Sequence, residues 1–292
     1  MIRIVKCGMR HFTTLIDANT LFEQLSRDDL TIFDCRFDLS RVQWGEAEYA
    51  AAHLPGARYL HLDRDLSSPI TTNSGRHPLP DPDRFALRLA ELGVDAQSQL
   101  VAYDQGNGAH AARLWWLARW IGLRDVAVLD GGYAAWHAAG LPIEQSLPAP
   151  RPKALAASLD SRAWVSSETV DELRRRPGNL LVDARGPERF AGRNETIDPI
   201  AGHIPGARNH PFLANLGADG KFLPAPELRA RFSTLLGSAP ASALIAMCGS
   251  GVTACHNLLA LEHAGLTGAR LYAGSWSEWI RDPRRPISTG TY

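Results

Sequence analysis

Along this chain, short apolar runs alternate with longer stretches in which apolar residues recur every three or four positions. The runs at 31–36 (TIFDCR), 99–103 (QLVAY), 180–185 (LLVDAR) and 243–247 (ALIAM) read as buried strands. The stretches 13–28 (TTLIDANTLFEQLSRD), 81–94, 166–179 and 225–238 carry a helical period and read as helices, each preceding a strand. This alternation predicts an α/β fold with a mostly parallel sheet wrapped by helices. Such sheets receive ligands beyond the carboxyl ends of their strands.

The pattern occurs twice. TIFDCR (31–36) matches LLVDAR (180–185), and AAHLPGARYLHL (51–62) matches IAGHIPGARNHP (200–211). LVAYDQGNGAHAARLWWL (100–117) matches LIAMCGSGVTACHNLLAL (244–261), and LDGGYAAWHAAGLPI (129–143) matches YAGSWSEWIRDPRRPI (272–287). Four blocks in one order imply a duplication: a domain over 1–145, a linker over 146–159 rich in Pro, Ala and Ser, and a domain over 160–292.

Composition narrows the function. The 292 residues are 45% hydrophobic and 21% charged, as in a globular protein, and the formal net charge is zero. Nothing polybasic argues for nucleic acid, and no apolar stretch approaches the roughly 18 residues of a membrane span. Charge is unevenly divided: residues 1–145 hold 14 Lys+Arg against 18 Asp+Glu, and residues 146–292 hold 17 against 13. A small anion is better suited to the second half. The N-terminus has no secretory signal pattern, which predicts a cytoplasmic protein; Met1 and Met9 are both candidate starts. Cys7, Cys35, Cys248 and Cys255 show neither metal-ligand spacing nor a disulfide framework.

The strand end at Cys248 carries the candidate chemistry. A strand, then CGSGVTA, then a helix places main-chain N–H groups around the cysteine side chain, and Gly249 and Gly251 allow the backbone angles that such a cradle needs. Amides and the helix dipole favour an anion there, and so a sulfur nucleophile. An inert core cysteine is the bland alternative, but the duplicated position is Asp104, a polar residue. A phosphatase loop of the C-x5-R type needs Arg at position 254, which is Ala254, so phosphoryl transfer is excluded.

These motifs, with GHIPGA (202–207), LDGG (129–132) and GSWSEW (274–279), resemble the tandem-domain rhodanese-like sulfurtransferases over essentially the whole chain. The CGSGVTAC loop is most similar to that of the 3-mercaptopyruvate sulfurtransferases; thiosulfate enzymes usually carry Arg-Lys between the Cys and the second glycine. The resemblance implies two rhodanese-like domains, only the second catalytic. It implies a sulfane sulfur passing from 3-mercaptopyruvate through a Cys248 persulfide to a thiol such as thioredoxin, or to cyanide, with pyruvate released and no metal or organic cofactor. It further implies a Ser250, His77, Asp63 relay spanning both domains, with Gly249, Gly251, Val252 and Thr253 around the substrate. Arg189 matches a family arginine for the substrate carboxylate. The second family arginine is replaced by Asp198, and Arg193 is the candidate substitute. Thiosulfate as donor and a non-enzymatic persulfide carrier are the alternatives. Asp34, Arg36, Asp183, Arg185, His53 and His203 occur in both halves and read as fold determinants, and RLWWLARW (113–120) as core and interface aromatics. Trp276 and Trp279 read as core, with Trp276 a candidate pocket wall.

Overall fold

A computed structural model describes residues 11–290. Cys7 and both candidate starts, Met1 and Met9, lie outside the described residues. The first domain runs β1 (Leu15–Ile16), α1 (Ala18–Gln24), β2 (Leu30–Asp34), α2 (Trp44–Ala51), β3 (Arg58–Tyr59), α3 (Pro82–Glu91), β4 (Gln99–Tyr103), α4 (Ala111–Trp120), β5 (Val126–Leu129) and α5 (Gly132–Ala138). The second repeats this order: β6 (Trp164–Val165), α6 (Ser167–Leu173), β7 (Leu180–Asp183), α7 (Pro187–Phe190), β8 (Arg208–Asn209), α8 (Ala225–Leu236), β9 (Leu244–Met247), α9 (Thr253–His263), β10 (Arg270–Tyr272) and α10 (Ser275–Trp279). The sheets are β1-β5-β4-β2-β3 and β6-β10-β9-β7-β8, and every strand pair is parallel. Strands covered by helices on both faces must be apolar throughout, and β4, β5, β7 and β9 are buried at every residue.

Helix starts follow local chemistry. Asp17 accepts from the Thr20 amide at 3.0 Å, Asp81 from the Arg84 amide at 2.9 Å and Ser166 from the Thr169 amide at 3.3 Å, each satisfying an amide the first turn leaves open. The Asp17 cap corrects one expectation. The helix foreseen over 13–28 begins only at Ala18, and Leu15–Ile16 before the cap pairs with β5 as an edge strand.

The domains meet through α4 and α9, whose buried residues join one apolar core that includes Leu114, Trp115, Cys255 and Leu258. The repeated acid–arginine pairs lock corresponding loops. Arg36 grips Asp34 with its Nη2 2.6 Å from Oδ2 and lies 4.4 Å from the Tyr133 ring centre. Arg185 grips Asp183 at 2.7 Å and lies 4.8 Å from the Trp276 ring centre. His53 and His203 bond main-chain carbonyls, Tyr49 O and Phe190 O, at 2.7 and 2.8 Å. All six serve the fold, as the sequence predicts. Among the described residues no helix is long and apolar enough to cross a membrane.

Candidate active site

In the second sheet the chain leaves β7 toward β8 on one side and β9 toward β10 on the other. The connections diverge between β7 and β9, which opens a crevice at their carboxyl ends. Cys248 directly follows β9, and α7 with its following loop hangs over the crevice from β7.

The Cys248 Sγ accepts from the amides of Gly251 at 3.1 Å and Ser250 at 3.4 Å. This turn requires glycine at 251: φ is +79°, and a Cβ would strike the Ala273 carbonyl. The main chain of Cys248 is fixed from the other side. Its amide donates to Ser275 Oγ at 3.0 Å, and its carbonyl accepts from the Trp276 amide at 3.0 Å. Ser275 has a left-handed φ of 54°, unusual for a residue with a Cβ, and that conformation presents its hydroxyl to Cys248. The sequence reading did not single Ser275 out; its signal was the serine directly after a glycine at a strand end. Trp276 is fully buried, with its indole donating to Ile200 O at 2.9 Å, and serves the core.

The first domain supplies the second part of the site. Ser277 Oγ accepts from the Arg76 amide at 2.9 Å and so docks the 61–79 loop onto the second domain. Next to it, His77 Nδ1 lies 2.7 Å from Ser250 Oγ, and His77 Nε2 lies 3.3 Å from Asp63 Oδ1. With the carboxylate facing Nε2, the proton is assigned to Nε2, and Ser250 donates its hydroxyl hydrogen to Nδ1. Burial pushes the His77 imidazole below its ordinary value, against the pull of Asp63, so it is a neutral acceptor at neutral pH. The bond from His77 holds Asp63 below the usual carboxylate range.

Gly249 is where the site meets charge. A Cβ there would lie 3.1 Å from Arg76 Nη2 and 3.5 Å from Arg189 Nη2, so two guanidiniums face the loop next to Cys248. Asp198 sits between them, its carboxylate 2.5 Å from Arg76 Nη1 and 2.9 Å from Arg189 Nη2. Glu195 accepts from Arg189 at 3.0 Å and lies 3.5 Å from Arg185. In the chain Arg76–Asp198–Arg189–Glu195–Arg185, the last arginine is also held by Asp183 at 2.7 Å, so three cations share three carboxylates and the network is balanced. Arg76 and Arg189 remain 22% and 21% exposed, so an anion can reach them from solvent.

Cys248, Ser250, His77, Asp63, Arg189, Gly249 and Gly251 thus come together, and Val252 and Thr253 lead from the loop into α9. Arg193 does not join them. It is exposed and paired with Glu188 at 2.6 Å on the surface, because the turn after α7 directs it to solvent. The second guanidinium is Arg76, from the other domain. The sequence reading missed it; its signal was adjacency to His77, since a loop that delivers one residue across the interface delivers its neighbour. Cys255 is buried, its thiol donating to Gly251 O at 3.3 Å and pushed up to about 12 by burial, so it is a neutral core thiol.

A cysteine at the carboxyl end of a parallel sheet, cradled by amides and met by polar residues from a second copy of the same fold, defines a class of two-domain sulfur-handling proteins. The rhodanese-like domain model matches residues 17–139 and 166–282, and the chain belongs to the rhodanese-like family. It is 51% identical over 278 residues to a Pseudomonas aeruginosa protein named "Probable 3-mercaptopyruvate sulfurtransferase", covering 94% of this chain and 98% of that one. It is 33% identical over 270 residues to the thiosulfate sulfurtransferase of Cricetulus griseus, covering 89% of each. The fold superposes on 3-mercaptopyruvate sulfurtransferase from Leishmania major with a TM-score of 0.82 at 34% identity, covering 93% of this chain and 76% of that one.

Proposed function

We propose that this chain is a 3-mercaptopyruvate sulfurtransferase in which Cys248 carries the transferred sulfur. The observation that carries the reading is the 2.7 Å bond between His77 and Ser250, which puts a proton relay from one domain two residues from the nucleophile of the other. A passive persulfide carrier has no use for such a relay.

In the first half-reaction the Cys248 thiolate attacks the sulfur of 3-mercaptopyruvate. The new S–S bond forms as the substrate C–S bond breaks, and its electron pair leaves on pyruvate as the enolate. Ser250, hydrogen-bonded to His77, relays the proton that converts the enolate to pyruvate. Arg76 and Arg189 hold the substrate carboxylate beside Gly249, the geometry in which two guanidinium forks bind a carboxylate well. The persulfide left on Cys248 sits in the amides of Ser250 and Gly251. In the second half-reaction an acceptor thiolate, such as that of a thioredoxin-type dithiol, attacks the outer sulfur and returns Cys248 as thiolate. Cys35, Cys248 and Cys255 are free thiols, which supports a reducing, cytoplasmic setting.

Thiosulfate is the second donor to weigh, because a relative bears that name. The neutral Gly249–Ser250 pair is less suited to its dianion than cationic loop residues would be. Single-turnover loading followed by intact mass tests the choice. The expected result is one added sulfur, faster with 3-mercaptopyruvate than with thiosulfate, and a KM for 3-mercaptopyruvate raised about tenfold or more in Arg76→Met. Faster loading by thiosulfate overturns the donor assignment.

A further inference from the structure

A fully buried guanidinium without a carboxylate lies against the Cys248 loop. Arg113 belongs to α4 of the first domain and is 0% exposed. Its Nη1 donates across the interface to Gly251 O at 3.2 Å, and its Nη2 to the carbonyls of Leu66, His77 and Pro78 at 3.3, 3.2 and 3.4 Å. Its Nε finds no oxygen acceptor, and the neutral Cys255 sulfur lies against the guanidinium. Among the described residues no carboxylate forms an ion pair with it.

A buried, unpaired cation is costly, and arginine cannot relieve that cost by losing its proton. Carbonyl dipoles offset part of it; an anion would offset the rest. Two sulfurs belong to the turn that Arg113 grips: Cys255 donates to the same Gly251 carbonyl at 3.3 Å, and the Cys248 Sγ accepts from the Gly251 amide at 3.1 Å. Cys255 is a neutral thiol, as shown above, which leaves Cys248.

The first domain supplies an internal control. Asn107 corresponds to Gly251 in the duplication, and its carbonyl likewise receives a bond across the interface, from His256 Nε2 at 3.0 Å. That imidazole is fully buried and pushed down to about 4 by burial, so it is neutral. A neutral ring therefore stands opposite the loop whose Asp104 is already bonded by its own amides, and a fixed cation opposite the loop with the cysteine.

We propose that Arg113 is a positioning residue: its buried charge is the counter-ion of the anionic Cys248 sulfur, and its bonds keep Gly251 and His77 in register across the interface. The same guanidinium group bonds the carbonyl of Gly251, whose amide holds Sγ, and the carbonyl of His77, whose ring holds Ser250. Other charged or titratable groups face this region. Arg76 and Arg189 are already engaged by Asp198 and Glu195, His77 by Asp63, His110 precedes Arg113 by one turn of α4, and Glu278 lies behind Gly274. Among the described cations at this loop, Arg113 alone has no acid partner. The inference rests on the sulfurtransferase reading only in needing an anionic sulfur at Cys248, so it is tested without a sulfur donor.

The test is the rate of Cys248 alkylation by iodoacetamide against pH, read by peptide mass, in wild type, Arg113→Lys and Arg113→Gln. Loss of the charge in Arg113→Gln is expected to move the midpoint upward by about one pH unit, an approximately tenfold slower reaction on the acid side, while Arg113→Lys keeps most of the wild-type profile. An unchanged midpoint in a folded but less stable Arg113→Gln overturns the proposal. If that variant does not fold, melting of wild type against Cys248→Ser across pH 6–9 decides instead. A sulfur anion favoured in the folded state adds stability that is fully present above the ordinary cysteine value and is lost as pH falls. Equal melting at every pH overturns the proposal.

Discussion

Asp104 and Cys248 stand at the same place in the two domains, at the carboxyl ends of β4 and β9, and each begins a glycine-containing turn into a helix. The Asp104 carboxylate spans its whole turn. One oxygen accepts from Gly106 and Gly108 at 3.0 Å each, the other from His110 at 2.9 Å and Ala111 at 3.3 Å. The Cys248 sulfur takes only the two nearest amides of its turn, those of Ser250 and Gly251. One turn is an anion cradle permanently occupied by its own side chain; the other holds a shorter side chain that engages half as many amides. What covers each turn differs in the same sense. Phe222 and His256 stack over the Asp104 turn at Gly108, with ring centres 4.3 Å apart, whereas His77, Arg76 and Arg189 stand over the Cys248 turn. The duplication therefore retained the cradle in both domains. In the proposed reaction the Cys248 sulfur acts together with the polar residues that stand over its turn.

Breaking the His77–Ser250 contact between the domains is expected to have the largest effect. His77→Ala and Ser250→Ala should each slow pyruvate release about 10²-fold or more, with Cys248 still present. Wild-type activity should fall with acid as His77 takes a proton, and because burial lowers His77 that limb lies below the ordinary histidine range. Steady-state rates from pH 4 to 8 check both points, and unchanged rates in the variants would remove the relay from the account. A smaller effect, on stability rather than rate, is expected at the occupied cradle. Asp104→Ala strands four amides and should cost about 3 kcal/mol of folding stability, Asp104→Asn less, and activity per folded molecule should hold. Denaturant melts paired with initial rates measure this. A loss of catalytic rate at full stability would mean that the first turn takes part in the reaction.

Much of this was legible in the chain. The strand ends, the duplication and the Cys248 turn follow from apolar runs and glycine placement, and Asp63, His77 and Ser250 meet as the family resemblance implies. The less legible residues act across the domain interface. Arg76 looks like any loop arginine until the docking of Ser277 brings it to Gly249. Asp198 reads as a lost cation, yet it orients two of them. Arg113 opens RLWWLARW and passes for the polar face of a helix, although in the folded protein that face is the interface. Arg193 went the other way, a cation at plausible spacing that the turn after α7 sends to solvent.

The central claim is that one cysteine of the duplicated scaffold carries the sulfur. Peptide mapping after a single turnover with 3-mercaptopyruvate, in the absence of any acceptor, tests it directly. The expected result is one extra sulfur on the peptide containing Cys248, matched mole for mole by pyruvate and absent in Cys248→Ser. Pyruvate release with no sulfur on that peptide, or sulfur found on Cys35 or Cys255 instead, would contradict it.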